Sequence, residues 1–178
     1  MNEEQFLQAM KLIIQKDKAG LKEIYEAYIG FIYHVVLDIV KNKENAEDIT
    51  SDFFIRLWEK AGQYSPGNGH KAYLAAIARN MAIDFIRKYK KEELSDEIET
   101  EGAILPNQSV TPEHEVVESL TINEALNRLK PVYRQIVSMK VLGEMTFKEI
   151  SAVLEIPMGT VTWNYQDAIK QLRRYGYE

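Results

Sequence analysis

The chain has 178 residues, of which 46% are hydrophobic, with no cysteine and 3 histidines. That is enough apolar residue for one or two buried cores, and it excludes wholesale disorder, a disulfide scaffold, a thiolate metal site and a cysteine nucleophile. The formal charge of −5 is unevenly spread: residues 1–91 carry 14 Lys+Arg and 12 Asp+Glu, residues 92–118 carry 9 acids and no Lys or Arg, and residues 119–178 carry 8 basic and 6 acidic residues.

Two mildly basic segments therefore flank an acidic one. His34, His70 and His114 are far apart, with no i, i+4 pair that would suit zinc. The most apolar run, Phe31 to Val40, is broken by His34 and Asp38, far short of the ~18 apolar residues of a membrane span. The start MNEEQ is acidic and unlike a signal peptide. A cytoplasmic protein with no membrane insertion, no metal and no cofactor is expected.

In chain order, Phe6, Met10 and Ile13 make the first helical stripe. Leu21, Ile24, Tyr28, Ile32, Val35 and Ile39 make the second; Ile49, Phe53 and Leu57 the third; Leu74, Ile77, Met81 and Phe85 the fourth. Asn45 is the expected N-cap of the third helix, with Glu47 and Asp48 in its first turn. Gly62, Pro66, Gly67 and Gly69 crowd the break before the fourth. No stretch alternates with period two, so residues 1–91 are predicted to form an all-helical domain.

Residues 92–118 hold two Pro, a Gly and several Ser and Thr. They read as an acidic linker with a short helical turn near its end. Residues 119–178 read as a second helical domain. Thr121 to Glu124 is a capping box, Pro131 sits at N1 of the next helix, and Gly143 is its expected C-cap. Thr146 to Glu149 is another capping box, Ile156 to Gly159 breaks the chain, and a last helix runs from about Thr160 to Arg174. Residues 146–165 have helix-turn-helix proportions. Ile150, Val153 and Leu154 would pack the first helix, Ile156 the turn, and Val161, Tyr165, Ala168 and Leu172 the second, with small Ser151 at their close crossing. Glu155 stands where glycine often forms the turn; either a left-handed Glu155 costs on the order of 1 kcal/mol, or the turn adopts another shape. The fold class is thus all-α, two small helical domains joined by an acidic linker, the second containing a helix-turn-helix.

Three stretches carry a resemblance. Asn45 to Trp58 resembles the polymerase-binding helix of the extracytoplasmic-function sigma factors of bacterial RNA polymerase. Tyr73 to Arg87 resembles their promoter −10 helix. Leu129 to Gln135, with Phe147 to Val161, resembles their −35-reading domain. The three occur in order, around the linker.

The resemblance implies core polymerase, promoter DNA and an anti-sigma factor as partners, and no enzyme activity. Polymerase would meet Glu47, Asp48, Ser51, Asp52 and an exposed Phe54 or Trp58, the acids suiting an Arg-bearing surface. A solvated helix start would show the same acids, and the family usually has Gln-Glu where this chain has Ser51-Asp52. The −10 strand would meet Lys71, Arg79, Arg87 and Lys88 through phosphates and Asn80 through a base edge. Tyr64 and Tyr73 would offer stacking faces and Asn68 an amide to a flipped base. A solvated helix end explains the cations at 87–91 but not Arg79-Asn80 in mid-helix.

The −35 set would be Thr146, Lys148, Thr160, Thr162, Trp163, Asn164, Gln166 and Lys170. The family places several cations just after Gly159-Thr160-Val161; here none appears until Lys170. The −35 contact is therefore expected to be weak, unusual in sequence or lost, with Arg134, Lys148, Lys170 or Arg173 as substitute anchors. An alternative sigma factor is the expected function, its linker running through polymerase channels as a charge mimic of nucleic acid. A sigma-like decoy for an anti-sigma factor and a helix-turn-helix regulator are the alternatives. The second would need a dimer for two half-sites.

Overall fold

The computed structural model describes residues 1–65, 67, 69–96 and 122–174. Among them the chain forms eight α-helices and one short 3-10 turn: α1 (Glu3–Ile14), α2 (Lys18–Val40), α3 (Lys43–Lys60), α4 (His70–Asp96), α5 (Ile122–Arg128), α6 (Pro131–Val141), α7 (Phe147–Leu154) and α8 (Met158–Arg174). The all-helical expectation holds. Asn68, Pro66, the linker from residue 97 onward and the cap predicted at Thr121 lie outside the described residues.

Local chemistry explains most helix ends. Asn2 closes a capping box with Gln5 at α1, and Asp17 accepts from the Ala19 N–H at α2. The N-cap of α3 is Asn42, not Asn45: the Asn42 side chain accepts from the Asn45 backbone N–H at 2.9 Å. Lys41, left-handed at φ 55, turns the chain out of α2, which leaves Asn42 extended where a cap must be. Pro131 sits at the start of α6. Thr146 and Glu149 form the predicted capping box of α7, the Glu149 carboxylate accepting from the Thr146 N–H at 2.7 Å. Helix α8 starts at Met158, two residues ahead of expectation, so Gly159 and Thr160 fall in its first turn.

Helix α2 is the hub. Helices α1, α3 and α4 pack on it, and so does α6 from the C-terminal unit, while α7 packs on α4. One buried cluster runs through both units, from Phe6, Ile24, Ile32 and Phe53 to Ile136, Met145, Ile150 and Val161. A smaller cluster of Leu129, Tyr133, Val137 and Ala168 lies inside the C-terminal unit.

Close contacts fix this seam. Gly143 is not the C-cap of α6; Leu142 is. Glycine is required at 143 because a Cβ there would come within 2.5 Å of Phe31 Cε2 on α2. In the helix-turn-helix, Glu155 is left-handed at φ 56, and the Ser151 hydroxyl donates to the Ile156 carbonyl at 2.6 Å, closing the turn. Ile150, Val153, Leu154, Val161 and Ala168 are buried as the spacing predicts.

Candidate nucleic-acid and polymerase interface

On α3, Glu47, Asp48, Ser51 and Asp52 are exposed, leaving carboxylates free for a partner. Phe54 is not exposed as expected: it is 5% accessible, its ring 4.8 Å from that of Tyr25. The reason is that α2 packs beside the C-terminal half of α3. Phe54 instead forms part of an apolar groove of about 480 Å³ with Leu21, Tyr25, Ile55 and Trp58, rimmed by Lys18 and Lys22. Trp58 is half-buried there, with the Lys16 ammonium 5.2 Å from its ring. The predicted polymerase set therefore divides into an acidic first half and an apolar second half with a cationic rim.

The predicted −10 surface is built from the start and middle of α4. Tyr64 and Tyr73 are half-buried, and their rings meet edge-to-face at 4.7 Å. Tyr64 also meets Phe6 at 5.3 Å. Their faces are thus engaged with each other and with the core rather than standing free. The Tyr64 hydroxyl donates to Glu3 at 2.9 Å. Glu3 also accepts from the His70 backbone N–H at 3.2 Å and bonds to its ring Nδ1, while Nε2 pairs with the Tyr28 hydroxyl. Burial pushes the Tyr64 phenol up, and the Glu3 carboxylate adds to this. This brace from α1 was missed in the sequence, because residues 61 and 67 positions apart leave no local signal.

Arg79, Asn80 and Arg87 line one cleft of about 510 Å³ together with Arg56, Ile83 and Asp84. Asn80 is exposed. Arg79 is half-buried, and its Nε is buried without a hydrogen-bond partner. Arg87 lies 3.7 Å from Asp84. Lys88 is exposed on α4, and Lys71, at the start of the helix, reaches Glu144 at 3.5 Å. The far wall of the cleft comes from α7 and the turn after it: Ala152, Val153 and Glu155. A second, smaller cleft of about 200 Å³ joins Ser65, Gly67, Gly69 and Tyr73 to the same Ala152 and Val153. In this arrangement α7 walls one side of the cleft at Arg79, while Asn80, Arg87 and Lys88 stay exposed.

The −35 set is scattered in its uses. Thr146 is spent as a cap. The Thr162 hydroxyl donates to the Met158 carbonyl of its own helix at 2.9 Å. Asn164 is 8% accessible, so it does not read a base edge; it falls on the Val161–Tyr165–Ala168 side of α8, which faces the core. Lys148, Thr160, Trp163, Gln166 and Lys170 are exposed, Trp163 at 60%. Arg134 is no substitute anchor, being buried against Asp38 of α2.

Residues 24–92 match the model of sigma-70 region 2, and residues 119–172 that of sigma-70 region 4. The ECF RNA polymerase sigma factor SigM of Bacillus subtilis (strain 168) is 31% identical over 137 residues, 76% of this chain and 82% of that protein. SigW of the same strain, likewise an ECF sigma factor, is 30% identical over 174 residues, 93% of each. Among solved structures, the sigma factor RpoE in complex with the anti-sigma factor NepR from Bartonella quintana aligns with a TM-score of 0.64 at 20% identity, over 89% of this chain and 96% of that one. CnrH in complex with the cytosolic domain of CnrY aligns at 0.62 and 15% identity, over 97% and 95%. The last two likenesses are likenesses of fold.

Proposed function

The chain belongs to the extracytoplasmic-function group of RNA polymerase sigma factors, and from that premise we propose that it binds core polymerase and directs it to promoters by recognising −10 and −35 elements. It performs no catalysis of its own and acts in the cytoplasm, where polymerase is. Polymerase docks on the exposed acids Glu47, Asp48 and Asp52, on Ser51 between them, and on the adjoining groove at Phe54 and Trp58. The −10 strand runs along Lys71, Arg79, Asn80, Arg87 and Lys88.

The observation that carries the reading is Arg79-Asn80 in mid-helix, opening with Arg87 onto one cleft. Solvation of a helix end accounts for cations in the last turn, but not for a half-buried guanidinium with an unpartnered Nε beside an exposed amide. Cations there hold phosphates, and Asn80 supplies base-edge hydrogen bonds. The −35 contact is weak, because the exposed front of α8 offers Thr160, Trp163 and Gln166 but no cation before Lys170. The RpoE relative is bound to an anti-sigma factor, and a partner of that kind is proposed for this chain.

The test is transcription in vitro on host genomic DNA with core polymerase. Added protein should give discrete new start sites that core alone does not give. The weak cation content of α8 favours one second reading, a decoy that occupies an anti-sigma factor. Failure to form a stable complex with core polymerase would establish the decoy instead.

A further inference from the structure

One carboxylate on α1 holds both ends of the segment that leads into α4. Glu3 Oε1 accepts from the Tyr64 hydroxyl at 2.9 Å, and Glu3 Oε2 accepts from the His70 backbone N–H at 3.2 Å. Tyr64 stands just before residues 65–69, and His70 just after them, where α4 begins. Lys71 and Tyr73 of the proposed −10 surface follow at once. Phe6, three residues beyond Glu3, backs this staple: its ring stacks on that of His70 at 4.7 Å and meets that of Tyr64 edge-on at 5.3 Å. The Glu3 side chain is 45% exposed, so its ionic attraction is screened and adds little to global stability. What its bonds fix is the geometry of the loop ends.

The His70 ring makes the staple conditional on a proton. The ring is buried; its Nδ1 bonds to Glu3 Oε2, and its Nε2 lies 2.5 Å from the Tyr28 hydroxyl. That hydroxyl also donates to the Met1 carbonyl at 3.2 Å. A phenol has one proton to donate, and an ionised carboxylate only accepts. With the Tyr28 proton on the Met1 carbonyl, Nε2 must donate to Tyr28 while Nδ1 donates to Glu3. A neutral ring takes the Tyr28 proton for Nε2 and withdraws that donor from Met1. Only the imidazolium makes all of these bonds at once, and it sets a cation against the Glu3 carboxylate. Tyr28 is not the group that changes: burial, with the Glu3 and Glu144 charges, pushes its phenol up to about 12.

We propose that Glu3 and His70 are positioning residues for −10 recognition: an imidazolium at His70, held between the Glu3 carboxylate and the Tyr28 hydroxyl, locks both ends of residues 65–69 and the first turn of α4 to α1. The role at the −10 strand rests on the sigma-factor reading above; the proton lock does not. The groups around the ring are Glu3 from α1, Tyr28 from α2 and Tyr64 from the turn before α4. Lys71 is next in the chain and pairs with Glu144, whose charge acts on Tyr28. Both phenols are pushed up and keep their protons, so Glu3 and His70 govern the lock. It weakens on the acid side as Glu3 takes up a proton below its lowered value, and on the alkaline side as the ring gives one up.

The test uses the full chain, alone and with core polymerase. In protein made with nitrogen-labelled histidine, His70→Phe assigns the His70 ring signals; phenylalanine keeps a ring against Phe6 and loses both ring bonds. Across about pH 5 to 8, both ring nitrogens should be protonated wherever the His70 amide is protected from hydrogen exchange, and one of those protons should be lost together with that protection. A ring with a single proton while the amide stays protected overturns the lock. With core polymerase, Glu3→Gln and His70→Phe, each assayed below its thermal midpoint, should leave capture of core unchanged. They should lower the preference for a promoter found by the start-site assay over its −10-substituted copy by about tenfold, the scale of one charge-assisted hydrogen bond. Glu4→Gln, a neighbouring exposed acid on α1, should change neither readout. In the parent the preference should follow the ring proton with pH, and in His70→Phe it should not. An unchanged preference in both variants overturns the positioning role, whatever the ring titration gives. A parent that opens no promoter overturns the sigma-factor reading and the −10 role with it, and the ring titration still decides the lock.

Discussion

Arg134 Nε lies 3.9 Å from Asp38 Oδ1 across the seam between α6 and α2, each side chain 9% exposed. The Ser138 side chain also bonds to Asp38, and the Arg134 guanidinium donates to Asn127 at 2.8 Å. A buried pair of this kind adds little net stability, because desolvation offsets attraction, but removing one member strands the other. Arg134→Ala is expected to cost about 3 kcal/mol in urea unfolding.

Burial pushes the Asp38 carboxyl up, against the opposing Ser138 hydrogen bond and Arg134 charge. The docked form therefore holds the Asp38 proton more tightly than an open form with that carboxyl in water. The Asp38 contribution to docking is full below the ordinary carboxylate range and is lost as pH rises through the raised value. On acidification through that raised value the parent should gain stability relative to Asp38→Asn, measured by urea unfolding at a series of pH values.

Glu3 shows the reverse sign. Partial burial raises its carboxyl, but hydrogen bonds from the His70 side chain and backbone and from Tyr64 outweigh that and hold it below its usual value. Its contribution is present above the ordinary carboxylate range and lost as pH falls through the lowered one. Glu3→Ala should cost about 1–2 kcal/mol and speed hydrogen exchange at the His70 amide, which donates to Glu3.

Asp48 and Asp52 are exposed on α3. Reversing both to Lys should change stability by less than about 0.5 kcal/mol while abolishing capture of core polymerase in a pull-down. Unchanged capture would move the polymerase site away from this stripe.

The recognition helix can be re-charged only where it is exposed. Asn164→Arg would force a cation into a position that is 8% accessible. Thr162→Lys with Gln166→Arg instead adds charge at half-buried and exposed sites. The full chain carrying both should bind duplex DNA more tightly, with a salt slope steeper by about two units. An unchanged slope would mean that α8 does not lie along the phosphates.

The helices were legible because their apolar stripes repeat within a few residues, and the Thr146 box and Pro131 start were legible because a cap is a local arrangement. The turn at Glu155 was legible for the same reason, but its left-handed backbone was not: a tight turn without glycine can also take another shape, and the structure shows φ 56. Asn42 displaced Asn45 as a cap because Lys41 turns the chain out of α2 in time for α3 to start three residues earlier, a backbone choice that composition does not reveal. Asn164 reads as a polar residue free for DNA until it is placed on the helix wheel with Val161 and Ala168. The partners of Asp38, Gly143 and Glu3 lie on other helices, and nothing near them in sequence names Arg134, Phe31 or His70. What escaped the sequence is the association of the two units, and with it the wall that α7 adds to the cleft at Arg79.

That association gives both units one core, unbroken from Phe6 in α1 to Val161 in α8. While docked, the chain has the surface-to-volume advantage of a mid-sized domain and unfolds as one cooperative body; apart, each unit buries a smaller fraction of its surface and must hold itself together. Parting the units thus does more than uncover the half-buried Arg79. It puts the chain in its most protease-sensitive form, since degradation follows the population of opened states.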